Sequence, residues 1–140
     1  MSGTEQEVAE AYREYSNAFI QACHTKDVTL LRPYSHVPAM MVAGGRTHVV
    51  LTEAESDARW ARVFSSWPKD YQTSTLNAVD VTMISATSAF VSADISRFSE
   101  NGKEYERVWC SYIFVKTGEN WRLSATMPHD PGRAPHTVRT

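Results

Sequence analysis

The chain has 140 residues and a formal net charge of −2 at neutral pH, and 42% of its residues are hydrophobic. This length suits one domain with one core, and the scattered basic residues do not form the positive surface of a nucleic-acid-binding protein. No apolar run approaches the roughly 18 residues of a membrane helix, and the polar, acidic start is unlike a signal peptide, so we expect a cytoplasmic protein that binds no membrane.

The first predicted element is a long amphipathic helix. Thr4 and Glu7 have the spacing of a capping box, in which two side chains satisfy free backbone N–H groups at the helix start. An apolar stripe then recurs at steps of three and four residues as far as about residue 24. The stripe contains Val8, Tyr12, Tyr15, Phe19 and Ala22. Asp27 is placed to cap a second, short helix over 28–32, which Pro33 should separate from the chain that follows.

A hairpin and a third helix come next. Gly44 and Gly45 suit a tight turn between strands in the segment 36–52, because glycine adopts the positive φ angles that two-residue turns require. Thr52 and Glu55 form a second capping box. The helix that it begins carries a row of aromatic residues and should end at Pro68. The row contains Trp60, Phe64 and Trp67.

The second half of the chain reads as strands. Segments rich in Thr, Val, Ile and Phe cover 72–85 and 88–99, and two more strand candidates follow the turns at Asn101–Gly102 and Gly118. Helices therefore precede a meander, which predicts an α+β fold: a strongly curved antiparallel sheet of about six strands wrapped over three helices of the N-terminal half. We expect one domain over 1–130, followed by an irregular, proline-containing tail over 131–140.

Short turns fix a predicted register for three strands. A two-residue loop at Asn101–Gly102 sets Arg97 opposite Glu106 and, further along, Ala93 opposite Cys110 and Val91 opposite Tyr112. The turn at Gly118 sets Lys116 opposite Trp121, so that Leu123 meets Phe114, Ala125 meets Tyr112 and Met127 meets Cys110. The apolar sets of the three strands coincide in this register, which predicts that they face the helices. The strand near 72–85 is left open, because Asp80 and Val81 compete for the inward position.

The inward face becomes polar at one end. Alternation places His129 opposite Val108, where it would join Arg97 and Glu106. Two interpretations stay open: an ordinary cross-strand pair at a hairpin tip, or the polar mouth of an apolar pocket. In the second case, Glu106 or His129 would serve as a catalytic base and Arg97 would stabilise an oxyanion.

The outward face of the same strands mixes aromatic, serine and arginine side chains. Trp109, Tyr105 and Phe90 lie on it, and aromatic residues beside polar ones suit a subunit interface. We therefore predict a homodimer through this face. The two cysteines, Cys23 and Cys110, lie in separate apolar segments and are predicted to be buried and unpaired.

The order of elements, with "YIFVKTGENWRLSATMPHD" at its close, resembles the nuclear-transport-factor-2-like superfamily, in particular its SnoaL-like members. The resemblance implies a cone-shaped sheet closed by helices, with a cavity in the cone and often a dimer. The superfamily includes ketosteroid isomerases, scytalone dehydratase, polyketide cyclases and many non-enzymatic binding modules. The tyrosine acid and aspartate base of the isomerases fall near Phe19 and Ala43, where this chain has neither residue.

Within such a cone, an apolar or polycyclic ligand would meet a set of aromatic and sulfur-containing side chains. The predicted ligand-binding residues are Tyr12, Tyr15, Trp60, Cys110 and Tyr112. Two functions follow as alternatives: a ligand-binding protein or cofactor-independent proton-transfer enzyme, in which Tyr112 is a further candidate to stabilise an oxyanion, and a non-catalytic dimerisation module with a filled cone. The five histidines show no metal-ligand spacing, so no metal is expected.

Overall fold

A computed structural model describes residues 3–130. Two α-helices, α1 (Gly3–Thr25) and α2 (Glu53–Ser65), and a 3-10 helix, η1 (Val28–Tyr34), pack on a six-stranded sheet. The strands are β1 (Ser35–Ala43), β2 (Arg46–Val50), β3 (Tyr71–Ser85), β4 (Ser88–Ser99), β5 (Glu104–Thr117) and β6 (Asn120–Pro128). The predicted α+β class and cone are confirmed, while the predicted tail lies outside the described residues.

Capping groups set two of the helix starts. The Asp27 carboxylate accepts from the backbone N–H and hydroxyl of Thr29, as its position before η1 predicts. Before α2, the Thr52 hydroxyl accepts from the Glu55 N–H at 3.1 Å, and the Glu55 carboxylate accepts from the Leu51 N–H at 2.6 Å. Pro33, expected to end the short helix, instead lies inside it; the absence of a proline N–H is tolerated there because η1 has few internal hydrogen bonds to lose.

The sheet has the order β2-β1-β6-β5-β4-β3. Strands β3 to β6 form the predicted antiparallel meander, and the β1–β2 hairpin turns at Gly44 and Gly45, both at positive φ. The two parts join through β1 and β6, which run parallel. The sheet is therefore mixed, which corrects the expectation of a wholly antiparallel sheet.

Registers between β4 and β5 agree with the prediction over most of their length. Arg97 is opposite Glu106, Ala93 opposite Cys110 and Val91 opposite Tyr112. The turn differs from the prediction: the Ser99 N–H donates to the Lys103 carbonyl at 3.0 Å, so three residues form the loop, and an extra residue before Glu106 restores the register. A bulge absorbs the longer loop without turning the apolar side chains outward.

The pairing of β3 with β4 shows whether Asp80 or Val81 faces inward, which the sequence left open. Val81 is opposite the buried Val91, so Val81 faces the helices and Asp80 faces outward. The β3–β4 ladder has three irregularities, between Tyr71 and Thr73, Leu76 and Ala78, and Met83 and Ser85. These shifts explain why simple alternation along the sequence could not fix the phase of this strand.

The core lies between α1, α2 and the inner face of β4, β5 and β6. Its largest fully buried side chains are Tyr12, Phe114, Leu31, Leu123, Val8, Val50 and Val91. Phe19 packs edge-on against Phe64 with ring centroids 5.0 Å apart, so aromatic stacking joins α1 to α2. Cys23 and Cys110 are buried and unpaired, as predicted. No described helix is long and apolar enough to span a membrane.

Candidate functional site

A cavity of about 140 Å³ lies inside the cone, between α1, α2 and the inner face of the sheet. Its wall is mostly aromatic and aliphatic. The lining side chains are Tyr12, Tyr15, Ser16, Phe19, Ile20, Met41, Trp60, Val63, Trp67, Ser74, Ile95, Arg97, Cys110, Tyr112, Thr126 and Pro128. All five residues predicted to bind a ligand lie in this wall, which α1, α2 and β5 supply together.

Three phenols meet on one side of the cavity. The Tyr12 and Tyr112 hydroxyls are hydrogen-bonded at 3.2 Å, and the two ring centroids are 5.1 Å apart. Tyr15 lies 5.8 Å from Tyr12 and 6.2 Å from Tyr112, again between centroids. These residues come from α1 and β5, so helix packing on the sheet creates the group. A Tyr12–Tyr112 pair can offer at most one free O–H donor, because one hydroxyl donates to the other.

The buried phenols and the thiol in the wall keep their protons near neutral pH. Burial raises the pKa of Tyr12 and Tyr112, and the hydrogen bond between them opposes this only in part for Tyr12. Burial also raises the pKa of the Cys110 thiol to about 11. These side chains can therefore donate hydrogen bonds to a ligand, whereas a thiolate or phenolate base would be costly to form.

Arg97 provides the polar end of the cavity. Its Nη1 donates to the Glu106 carboxylate at 2.6 Å, and its guanidinium carbon lies 4.4 Å from the Trp67 ring centroid. The Glu106 side chain is 45% exposed, so the pair spans the boundary between the cavity and solvent. Both interpretations from the sequence describe part of this arrangement: Arg97 and Glu106 are a cross-strand pair, and Arg97 also lines the cavity.

Two polar groups at the cavity have no hydrogen-bond partner among residues 3–130. They are Nε of Arg97 and the hydroxyl of Thr126, both fully shielded from solvent. A buried donor without a partner costs roughly 1–3 kcal/mol, so both groups are suited to a ligand that accepts hydrogen bonds. Thr126 was not predicted as a site residue, because the assumed register placed it on the outer face.

The register of β6 overturns the predicted position of His129. Phe114 is opposite Leu123 as predicted, but Ile113 is opposite Ala125, so Ser124 is an extra residue in β6. Tyr112 therefore faces Thr126, and Cys110 faces Pro128, in place of the predicted Ala125 and Met127. Beyond this bulge every side chain of β6 lies on the face opposite to the one predicted.

His129 consequently lies on the outer face. Its backbone N–H donates to the Trp109 carbonyl at 3.0 Å, and its Nε2 lies 2.7 Å from the Ser111 hydroxyl. Ser111 in turn lies 3.3 Å from the Ser92 hydroxyl on that face. The predicted group of Arg97, Glu106 and His129 is therefore wrong as a cluster, since the sheet separates the histidine from the other two.

A second arginine near the cavity was missed from the sequence. Arg59 on α2 is only 4% exposed, and its guanidinium carbon lies 5.0 Å from the ring centroid of Trp60. Its Nε and Nη1 are buried without a hydrogen-bond partner in the described chain. Helical spacing could have indicated that Arg59 lies near the cavity, because Arg59 precedes the cavity residue Val63 by one turn. Within residues 3–130, no cluster of His, Cys, Asp or Glu is arranged to bind a metal.

Comparison with known proteins agrees with this architecture. An NTF2-like superfamily protein from Salmonella enterica serovar Typhimurium has 16% identity and a TM-score of 0.66, over 94% of each chain. A provisionally named dehydratase of the NTF2-like family from Streptomyces avermitilis has 18% identity and a TM-score of 0.64, over 93% of this chain and 96% of that one. The association domain of CaMKII from C. elegans has 12% identity and a TM-score of 0.65, over 92% and 100%. At these identities the likeness shows the fold alone.

No curated protein sequence matches the chain. A family model described as NTF2-like protein (DUF6841) matches residues 5–131. The match covers α1, α2 and every strand of the cone, so it includes the whole wall of the cavity. The chain therefore belongs to the NTF2-like DUF6841 family.

Proposed function

We propose that this protein binds a small, single-ring molecule with an oxygen acceptor inside the cone. The volume of about 140 Å³ is close to the roughly 150 Å³ of an apolar cavity that holds benzene, and well below the roughly 300–1,000 Å³ of sites for drug-sized ligands. This size favours one ring over the polycyclic ligand that remained open from the sequence. It also distinguishes the protein from a module whose cone is completely filled.

One observation carries the proposal: two residues that line this cavity, Arg97 and Thr126, each have a buried polar atom with no hydrogen-bond partner among residues 3–130. The Thr126 hydroxyl and Nε of Arg97 are buried and unpaired within the described chain, while the surrounding wall is aromatic. Such a site holds an apolar body by contact and fixes its orientation through a few hydrogen bonds. An oxygen acceptor on the ligand would satisfy donors that the protein itself leaves unsatisfied.

Binding is better supported than proton-transfer catalysis. Of the two predicted bases, His129 lies on the outer face, and Glu106 is hydrogen-bonded to Arg97 at 2.6 Å. The phenols in the wall hold their protons, because burial raises the pKa of Tyr112. Tyr112 could polarise a bound carbonyl by donating a hydrogen bond, as an oxyanion hole does, but the arrangement favours ligand retention over removal of a proton.

The test is a thermal-shift and calorimetric titration with phenol, benzamide and 2-naphthol. We expect the single-ring compounds to bind and 2-naphthol to bind more weakly. Replacing Tyr112 with phenylalanine should weaken the binding of benzamide by about three- to tenfold, because one hydrogen bond is lost. Tyr34→Phe is the matched control, because Tyr34 lies in η1 and does not line the cavity. Preference for the two-ring compound, or binding of none of the three, would contradict the proposal.

A homodimer through the outer face of the sheet is a second proposal. Trp109 and Phe90 are half-buried there, whereas the extra residue in β5 sets Glu104, and not the predicted Tyr105, opposite the outer residue Phe98. On the same face the β1–β2 hairpin exposes further large apolar side chains. These are Met40, Val42, Val49 and Leu51, with exposed fractions of 40%, 37%, 49% and 65%. Exposed apolar side chains beside aromatic ones are typical of a protein interface.

Sedimentation equilibrium tests the dimer. Wild-type protein should have twice the mass of one chain, and Trp109→Glu should be monomeric with an unchanged circular dichroism spectrum. Lys69→Glu is a control, since this exposed residue lies outside the strands. A monomeric wild type would contradict the proposed interface. Together, the two proposals describe a dimeric small-molecule-binding protein of the cytoplasm, where reducing conditions suit the unpaired cysteines.

A further inference from the structure

Two arginines from different elements approach Tyr15 at the cavity. Arg97 projects from β4 into the wall, and Arg59 projects from α2 and lies behind Trp60. The Trp60 ring lies between Arg59 and Tyr15: its centroid is 5.0 Å from the Arg59 guanidinium carbon and 6.2 Å from the Tyr15 ring centroid. Burial raises the pKa of Tyr15, and the positive charges of Arg59 and Arg97 oppose this rise.

Of the two arginines, Arg59 has the positive charge that fewer neighbouring groups compensate. It is 4% exposed, and within the described chain neither Nε nor Nη1 has a hydrogen-bond acceptor. The Trp60 ring offers a cation–π contact at 5.0 Å from its centroid, which replaces only part of the hydration that a guanidinium loses on burial. A buried cation without an anion is normally avoided, so its presence beside a cavity needs a compensating charge.

Charges around the cavity leave room for one anion. Arg59 and Arg97 contribute two positive charges, and the partly exposed Glu106 neutralises one of them through its bond to Arg97. One positive charge therefore remains on the inner side, next to Tyr15 and the aromatic wall. A monoanion balances it, whereas a phosphate dianion would exceed it. A carboxylate is planar and accepts two hydrogen bonds, which suits Nε of Arg97 and the Tyr15 hydroxyl.

We propose that the ligand is a small aromatic monocarboxylate, whose carboxylate binds Arg97 and Tyr15 and whose charge is balanced by Arg59 from behind the Trp60 ring. This inference rests on the proposed function of the cavity and adds the charge of its ligand. Arg97 and Tyr15 make the contacts. Arg59 acts through its charge alone, since it does not line the cavity.

The test compares benzoate with benzamide, which has the same ring and nearly the same shape but no charge. Isothermal titration calorimetry should show benzoate binding about tenfold more tightly, because a hydrogen bond to a charged group is stronger than a neutral one by roughly 1–1.5 kcal/mol. Arg59→Met should abolish this preference and should change the affinity for benzamide by no more than about twofold. Arg59→Lys keeps the charge and should keep the preference.

A second readout needs no ligand. Arg59→Met removes an uncompensated buried charge, so its melting temperature without ligand should rise, while Arg59→Lys should not share this gain. Should Arg59→Met fail to fold, as judged by circular dichroism, Arg59→Gln, which also removes the charge, takes its place in the comparison of benzoate with benzamide. The stability gain predicted from the buried charge would then also be wrong.

Failures of the two proposals are distinguishable. If neither benzoate nor benzamide binds, the proposed small-molecule site is wrong. If both bind equally well, the cavity remains a binding site, but the inference about its charge is overturned. If benzoate is preferred and Arg59→Met leaves that preference intact, the role assigned to Arg59 is overturned.

Discussion

Replacing Thr126 with valine should make the ligand-free protein more stable. The Thr126 hydroxyl is buried in the cavity wall and has no hydrogen-bond partner among the described residues. Valine keeps the branched shape and the strand preference of threonine, so the change removes the hydroxyl with little effect on backbone or packing. Most substitutions of buried residues destabilise a protein, which makes a gain in stability a sharp test.

The size of the gain follows from the cost of the unsatisfied group. A buried polar group without a partner costs about 1–3 kcal/mol, and access of water to the cavity reduces this, so we expect a gain of about 1–2 kcal/mol. For a chain of 140 residues, an unfolding entropy of roughly 2.1 cal/mol/K per residue converts this gain into a melting temperature about 3–7 °C higher.

Thermal melts followed by circular dichroism, with urea unfolding as a check, measure this difference. Thr75→Val is the matched control, because Thr75 is exposed on β3 and its exchange should change stability by less than about 0.5 kcal/mol. A lower melting temperature for Thr126→Val, with the control unchanged, would show that the hydroxyl is satisfied. The Thr126 hydroxyl would then not be an unpaired donor that a ligand could satisfy.

Three further predictions concern the fold. Phe114→Ala should cost about 3–5 kcal/mol in urea unfolding, because Phe114 is 0% exposed, whereas Ile84→Ala should cost little at 61% exposure. The hydrogen bonds from Arg107 lower the pKa of the Asp94 carboxyl, so its stabilising contribution is present above the unfolded pKa of about 3.9 and is lost as the pH falls below it; Asp94→Asn should flatten this acid limb of the stability–pH curve. Gly118→Ala should cost about 1 kcal/mol in thermal melts because φ is +62° in open space, and an unchanged melt would contradict the strain argument.

Much of the fold could be predicted from local patterns. The stripe containing Tyr12 and Tyr15 places α1 correctly. The predicted register also points Cys110 and Tyr112 inward, although a three-residue loop and a compensating bulge replace the predicted two-residue loop. The parallel contact of β1 with β6 has no local signature, because it joins segments far apart in the sequence. Periodicity reports which face of an element is apolar, but not which distant strand lies beside it.

The candidate site was predictable only in part, for a related reason. The bulge at Ser124 is invisible to a rule of alternation, since either Ala125 or Thr126 can be accommodated inside a sheet. The prediction placed the more apolar residue, Ala125, inside, whereas the structure places Thr126 there. That error also placed His129 on the cavity side in the prediction. Arg59 escaped notice because a charged residue is expected to be exposed, and its burial depends on packing of α2 that the sequence does not display.

The irregular pairing of β3 has a consequence for the tendency of the protein to aggregate in concentrated solution. This strand of 15 residues forms one border of the sheet, and a long, straight border offers a template on which other chains can add strands and begin to form fibrils. Its three breaks in register divide that template into short pieces with mismatched spacing. The distortions therefore guard against self-propagating assembly, and straightening the strand by deleting Asn77 would remove one of these barriers.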